Sequence, residues 1–138
     1  MTAKSALKTI GFTTLVGGKT ARVAIDESLV EELTDVDERK MARLTRIMEL
    51  WTEGHQLTAE QFNGNEGRAK RGNLNVMLQA FKTHKIRLFG IVERVDGLKT
   101  FLIVGLDPAK KQNKADPKIL KRAHERALDI TKAVGDLK

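Results

Sequence analysis

The residues of this chain best equipped for chemistry are cations gathered at the two ends of one stretch, residues 82–114. Lys82, His84, Lys85 and Arg87 open it, and Lys110, Lys111 and Lys114 close it. Between them lie two apolar, β-prone runs, Lys85 to Arg94 and Lys99 to Leu106, separated by Asp96-Gly97. Asp-Gly between such runs is a strong hairpin signal. Antiparallel pairing folds the two charged ends onto each other, although they are far apart along the chain. A cluster of fixed positive charge at one end of a rigid sheet is suited to binding a polyanion.

The overall charge points the same way. The net charge is +7, and its distribution is uneven. Asp26 to Glu38 holds seven acids and no base, whereas Arg68 to Arg94 holds seven bases and one acid, Glu93. Lys99 to Arg126 adds eight bases against Asp107, Asp116 and Glu125. Nucleic acid is the commonest partner of such a basic face. Lys118, Lys121 and Arg122 read as an ordinary exposed helix face. There is no cysteine, which excludes disulfide and thiolate chemistry and fits a cytoplasmic location. Three scattered histidines, His55, His84 and His124, lack metal-ligand spacing, so neither a metal nor another cofactor is expected. No apolar run approaches the ~20 residues of a membrane span, and the first residues lack the apolar core of a signal peptide.

These cations must be positioned by the surrounding elements. With 138 residues, one domain is expected. Residues 1–8 read as loose, and residues 1–20 as an extra N-terminal segment. Lys8 to Val16 and Thr20 to Ile25 form a candidate hairpin around Gly17-Gly18. Asp26 or Ser28 caps a helical stretch, with Leu29, Val30 and Leu33 as its apolar stripe. Thr34-Asp35 reads as a break. A longer helix follows, with Met41, Leu44, Ile47, Met48 and Trp51 on one face, ending near Gly54. His55, just beyond it, is placed to complement the helix dipole. Gln61 to Gly72 combines glycines with Arg68, Lys70 and Arg71 and reads as a flexible linker loop, with backbone contacts to RNA as a second reading. It contains no nucleotide-binding fingerprint.

Asn73 to Phe81 reads as the first strand of a meander, followed by the central hairpin. Along Lys85–Arg94, Ile86, Leu88, Gly90 and Val92 should face the core. Lys85, Arg87, Phe89 and Ile91 should share the other face, exposed at its basic end. The run from Lys99 is apolar on both faces and should be central. Asp116-Pro117 starts a terminal helix striped by Ile119, Leu120, Ala123, Ala127 and Ile130. The expected fold is α+β: a small antiparallel meander packed against the two N-terminal-half helices, with a C-terminal helix.

The second half resembles the RelE/HigB-like toxins of type II toxin–antitoxin systems, especially their phage-derived branch. The resemblance rests on QFNGNEG, KIRLFGIVERVDG, KTFLIVGLD and KKQNKADPKIL, covering residues 60–125. The basic run before the last helix is its most specific part. It implies a RelE-like domain that cuts mRNA in the ribosomal A site and is neutralised by a cognate antitoxin. The reaction would be attack of a ribose 2′-OH on its own 3′-phosphate. By the same resemblance, Arg87 matches the family's strand arginine and would hold the scissile phosphate, a task that suits a planar guanidinium. Lys110 and Lys111 match the cationic position after the last strand. Lys82, His84 and Lys85 correspond in place to basic residues of the preceding strand and turn. An imidazole titrates near neutrality, so His84 is the candidate acid or base. Lys82, Lys85, Lys114, Arg68, Lys70 and Arg71 would bind RNA. The chain has no tyrosine, and Ile86 stands where several relatives place one. Two other readings follow from the same fold. One is a ParE-like toxin that acts on DNA gyrase without catalytic groups. The other is an inactive relative that binds RNA or protein.

Overall fold

The computed structural model describes residues 6–83, 85–108 and 116–137. The order is α1 (Ala6–Thr9), β1 (Phe12–Val16), β2 (Ala21–Asp26), a single 3-10 turn, α2 (Val30–Thr34), α3 (Glu38–Thr52), β3 (Phe62–Asn63), β4 (Arg68–Arg71), β5 (Leu74–Met77), β6 (Gln79–Thr83), β7 (Ile86–Val95), β8 (Leu98–Asp107) and α4 (Pro117–Asp136). The architecture is α+β. Six strands form one mixed sheet in the order β1-β2-β8-β7-β6-β3, and β4 and β5 form a separate two-stranded ribbon.

The central hairpin forms around Asp96 and Gly97, both with positive φ (54° and 76°). A two-residue turn of this hand matches the twist of its strands. Its register brings Arg87 opposite Asp107 and Val95 opposite Leu98, with one irregularity between Phe89 and Gly90. A Cβ on Gly90 would lie 2.3 Å from the Phe101 ring and 2.5 Å from the Leu102 carbonyl oxygen. Only glycine lets the two strands and that ring come this close. β1 and β2 pair antiparallel, as the Gly17-Gly18 signal predicts.

The sheet itself corrects the expected one. β2 runs parallel to β8, with Arg22 opposite Thr100, so the sheet is mixed instead of purely antiparallel. Helices cover both faces. On one face α2 and α3 place Leu33, Leu44, Ile47 and Met48 against Val23, Phe81, Leu88 and Phe101. On the other, α4 places Ala123, Ala127, Ile130 and Val134 against Phe89, Ile91, Leu102 and Val104, and α1 adds Leu7. A strand buried on both faces is apolar throughout, which is why β8 carries Phe101 to Val104 without alternation. Residues 6–8, expected to be loose, and Thr9, expected in the first β-prone run, form the short helix α1.

The helix ends follow local chemistry. The Asp37 side chain accepts hydrogen bonds from the Arg39 and Lys40 amides and starts α3. Gly54 ends it at φ 85°. There the Gly54 amide bonds the Trp51 carbonyl and the His55 amide bonds the Leu50 carbonyl, a paired closure of the last turn. Asp116 caps α4 through the Lys118 amide, with Pro117 in the first turn. Asp26, almost fully buried, bonds the Ser28 amide and hydroxyl at 3.0 and 2.8 Å. It also receives Arg126 of α4, tying the end of β2 to the terminal helix.

Candidate nucleic-acid interface

Strand pairing builds one row of polar residues across the end of the sheet. Lys82 on β6 lies opposite Arg87 on β7, and Arg87 lies opposite Asp107 on β8. Residues directly opposite share a face, about 5 Å apart at Cβ. The row therefore sits on the α4 side, next to the pair Ala80 and Phe89. Asp107 accepts a hydrogen bond from the Asp116 amide at 3.1 Å, which ties the start of α4 to the end of β8. Of the cations expected to converge here, Lys82 and Arg87 are neighbours in register. Lys85 is exposed in the β6–β7 turn, with a positive φ of 67°. His84, Lys110, Lys111 and Lys114 lie outside the described residues.

Arg87 itself differs from expectation. Its face was expected to be solvent-exposed at the basic end, but the residue is only 6% accessible. α4 covers the β7 face that carries Arg87 and Phe89 and adds it to the core. The guanidinium pairs with Glu66 at 2.5 Å, and both side chains are 7% accessible. Two carboxylates thus stand among the cations of this row: Glu66, in ion-pair contact, and Asp107, the register neighbour. A buried cation needs such partners, because an uncompensated charge away from water is strongly disfavoured.

The remaining predicted RNA contacts are carried elsewhere. Residues 68–77, expected as loop and then strand, form the β4–β5 ribbon, turned at Gly72 with φ 58°. Its base is closed by two backbone bonds, Glu66 amide to Leu78 carbonyl and Leu78 amide to Gly67 carbonyl, at 2.7 and 2.9 Å. From there it runs along α4. His124 packs on Gly67 and its Nε2 lies 3.1 Å from the Glu66 carbonyl oxygen. Further along, Arg71 pairs with Asp129 at 2.7 Å. Arg68, Lys70 and Arg71 are all exposed. The sequence reading missed Glu66 and His124. Glu66 lay inside an assumed loop, and no local pattern marks it as the partner of Arg87.

Comparison of the chain with protein-family models, with curated proteins and with solved structures finds no match. No described helix is long and apolar enough to cross a membrane.

Proposed function

We propose that this protein binds RNA at the Lys82–Arg87–Asp107 end of its sheet and acts as a RelE/HigB-like, ribosome-dependent mRNA endoribonuclease. In this reading it is a cytoplasmic toxin held inactive by an antitoxin. The observation that carries the proposal is the register that sets Lys82, Arg87 and the exit of β8 side by side. The α+β class and the β6-β7-β8 meander also support it.

In the proposed reaction, a substrate phosphate takes the place of the Glu66 carboxylate on Arg87. Glu66 is then a carboxylate beside the reacting ribose, able to accept the 2′-OH proton. The 2′-oxygen attacks phosphorus, the bond to the 5′-oxygen breaks, and the products are a 2′,3′-cyclic phosphate and a 5′-OH. Arg87 and Lys82 stabilise the charge that develops on the phosphate, typically the largest single contribution. A general acid for the leaving oxygen adds ~10²–10⁴-fold; His84, the candidate acid or base by its imidazole, takes that part here, and the resemblance assigns Lys110 and Lys111 to the phosphate.

The burial of Arg87 favours a second reading, in which the same end binds RNA without cutting it. Induced expression in a bacterium, with primer extension on a translated reporter mRNA, separates the two. Codon-phased cuts that vanish with Lys82→Ala and Arg87→Lys support cleavage. Ribosome binding without cuts leaves the binding reading. Growth arrest with intact mRNA and no ribosome binding overturns both and points to a gyrase-type target.

A further inference from the structure

We infer that the β4–β5 ribbon is a second RNA-contacting surface, directed at the phosphate backbone of folded ribosomal RNA and separate from the end of the sheet where cleavage is proposed. The inference rests on the RNA reading above and adds to it where the protein docks.

The two faces of the ribbon have different duties. The inner face is committed to the protein. Ala69 is buried, Val76 packs against the core beneath α4, and Arg71 is bridged to Asp129. The outer face carries the cross-strand pairs Arg68 with Met77 and Lys70 with Asn75. Arg68 donates to the Asn75 side chain at 3.1 Å, which fixes its guanidinium over that face. Residues 68–77 contain three bases and no acid. Ordinary solvated strands mix the two signs, so this ribbon is a local source of positive potential.

The chemistry of the face selects the kind of RNA. Arg68 and Lys70 are two residues apart on one strand, ~6.6 Å along it. That is on the order of the spacing of successive phosphates in a nucleic-acid strand. Single strands are held by aromatic side chains on which bases stack, and residues 68–77 contain no aromatic. A face of cations and one amide suits phosphate and 2′-OH contacts, the means by which paired RNA is recognised. The ribbon's partner is therefore folded RNA, and the single-stranded substrate belongs to the other site. The docking pose is held at its base by the backbone bonds between Glu66 and Leu78 and between Leu78 and Gly67.

The test is co-sedimentation of the full chain with bacterial ribosomes over a series of KCl concentrations. The variant Arg68→Gln/Lys70→Gln is compared with Arg39→Gln/Arg43→Gln, which removes the same charge from exposed positions of α3. The ribbon variant should bind about 10–50-fold more weakly, with the slope of log K against log salt reduced by about 1.5. The α3 variant should change less than about 3-fold. Near-ultraviolet circular dichroism of Trp51 checks that both are folded. If wild-type protein binds ribosomes and the ribbon variant binds equally well, the ribbon assignment falls while the RNA reading stands. If the two variants weaken alike, the effect is unspecific charge and the assignment falls. If the ribbon variant loses an unstructured RNA oligonucleotide as strongly as it loses ribosomes, the choice of folded RNA is wrong. If wild-type protein fails to bind ribosomes at low salt, both readings fall together.

Discussion

Replacing Arg87 with alanine should break a buried ion pair and destabilise the fold. The substitution removes a guanidinium that is 6% accessible and leaves the Glu66 carboxylate, 7% accessible, without its partner at 2.5 Å. Asp107, 3% accessible, loses its register neighbour in the same step. Breaking a buried pair by deleting one member costs about 3–5 kcal/mol, most of it from the charge left behind. For a chain of this length, a loss of 1 kcal/mol lowers Tm by about 3–4 °C, so Arg87→Ala should lower it by about 9–20 °C. Ordinary domains hold only about 5–15 kcal/mol in total. The assay is urea denaturation followed by the fluorescence of Trp51, which lies 5.9 Å edge-on from both Phe81 and Phe101. A double variant, Arg87→Met/Glu66→Leu, should recover most of the loss, because a buried pair replaced by apolar groups of similar size is often neutral. The difference between the double variant and the sum of the singles measures the coupling. An Arg87→Ala protein within about 0.5 kcal/mol of wild type would refute the argument. So would a double variant as unstable as the two singles combined. Because Arg87→Ala perturbs the fold, Arg87→Lys and Lys82→Ala are the informative variants for activity.

Other consequences concern packing. Gly90→Ala places a methyl 2.3 Å from the Phe101 ring and 2.5 Å from a backbone oxygen, and should cost about 1–3 kcal/mol in the same denaturation assay. A neutral result there would mean that β7 and β8 can separate at the bulge. Arg126→Ala leaves Asp26, 3% accessible, with the Ser28 amide and hydroxyl but without its cation, and should cost about 1–3 kcal/mol. Lys99 lies 4.8 Å from the Trp51 ring centre, so Lys99→Ala should shift Trp51 emission while lowering stability by only about 0.5–1 kcal/mol.

What the sequence made legible was local. Asp96-Gly97 announces its turn because few residue pairs accept two successive positive φ values. Asp116-Pro117 marks a helix start through a cap and a fixed φ, and the stripe from Ile119 to Ile130 gives its buried face. The unbroken apolar run of β8 correctly implied a central strand. What escaped was long-range. Nothing within Arg22–Ile25 says that its neighbour is Thr100–Ile103, because a strand's alternation gives its faces and not its partner. The same gap misplaced Arg87. A strand that begins Lys-Ile-Arg reads as solvent-facing until α4 is laid over that face. The ribbon was hidden for another reason. Arg68 to Gly72 has no β-branched residue, and it becomes a strand through Gly72, through pairing with Leu74–Met77 and through packing on α4. Of the candidate site, the placement of Lys82 beside Arg87 was legible from strand pairing, and the Glu66 carboxylate that pairs with Arg87 was not.

The measurement that bears most directly on the central claim is single-turnover incubation of purified protein with ribosomes carrying a defined mRNA codon in the A site. The account predicts a cut within that codon, a 2′,3′-cyclic phosphate on the upstream fragment, and loss of the cut in folded Lys82→Ala protein. An mRNA left whole by wild-type protein bound to those ribosomes would contradict it.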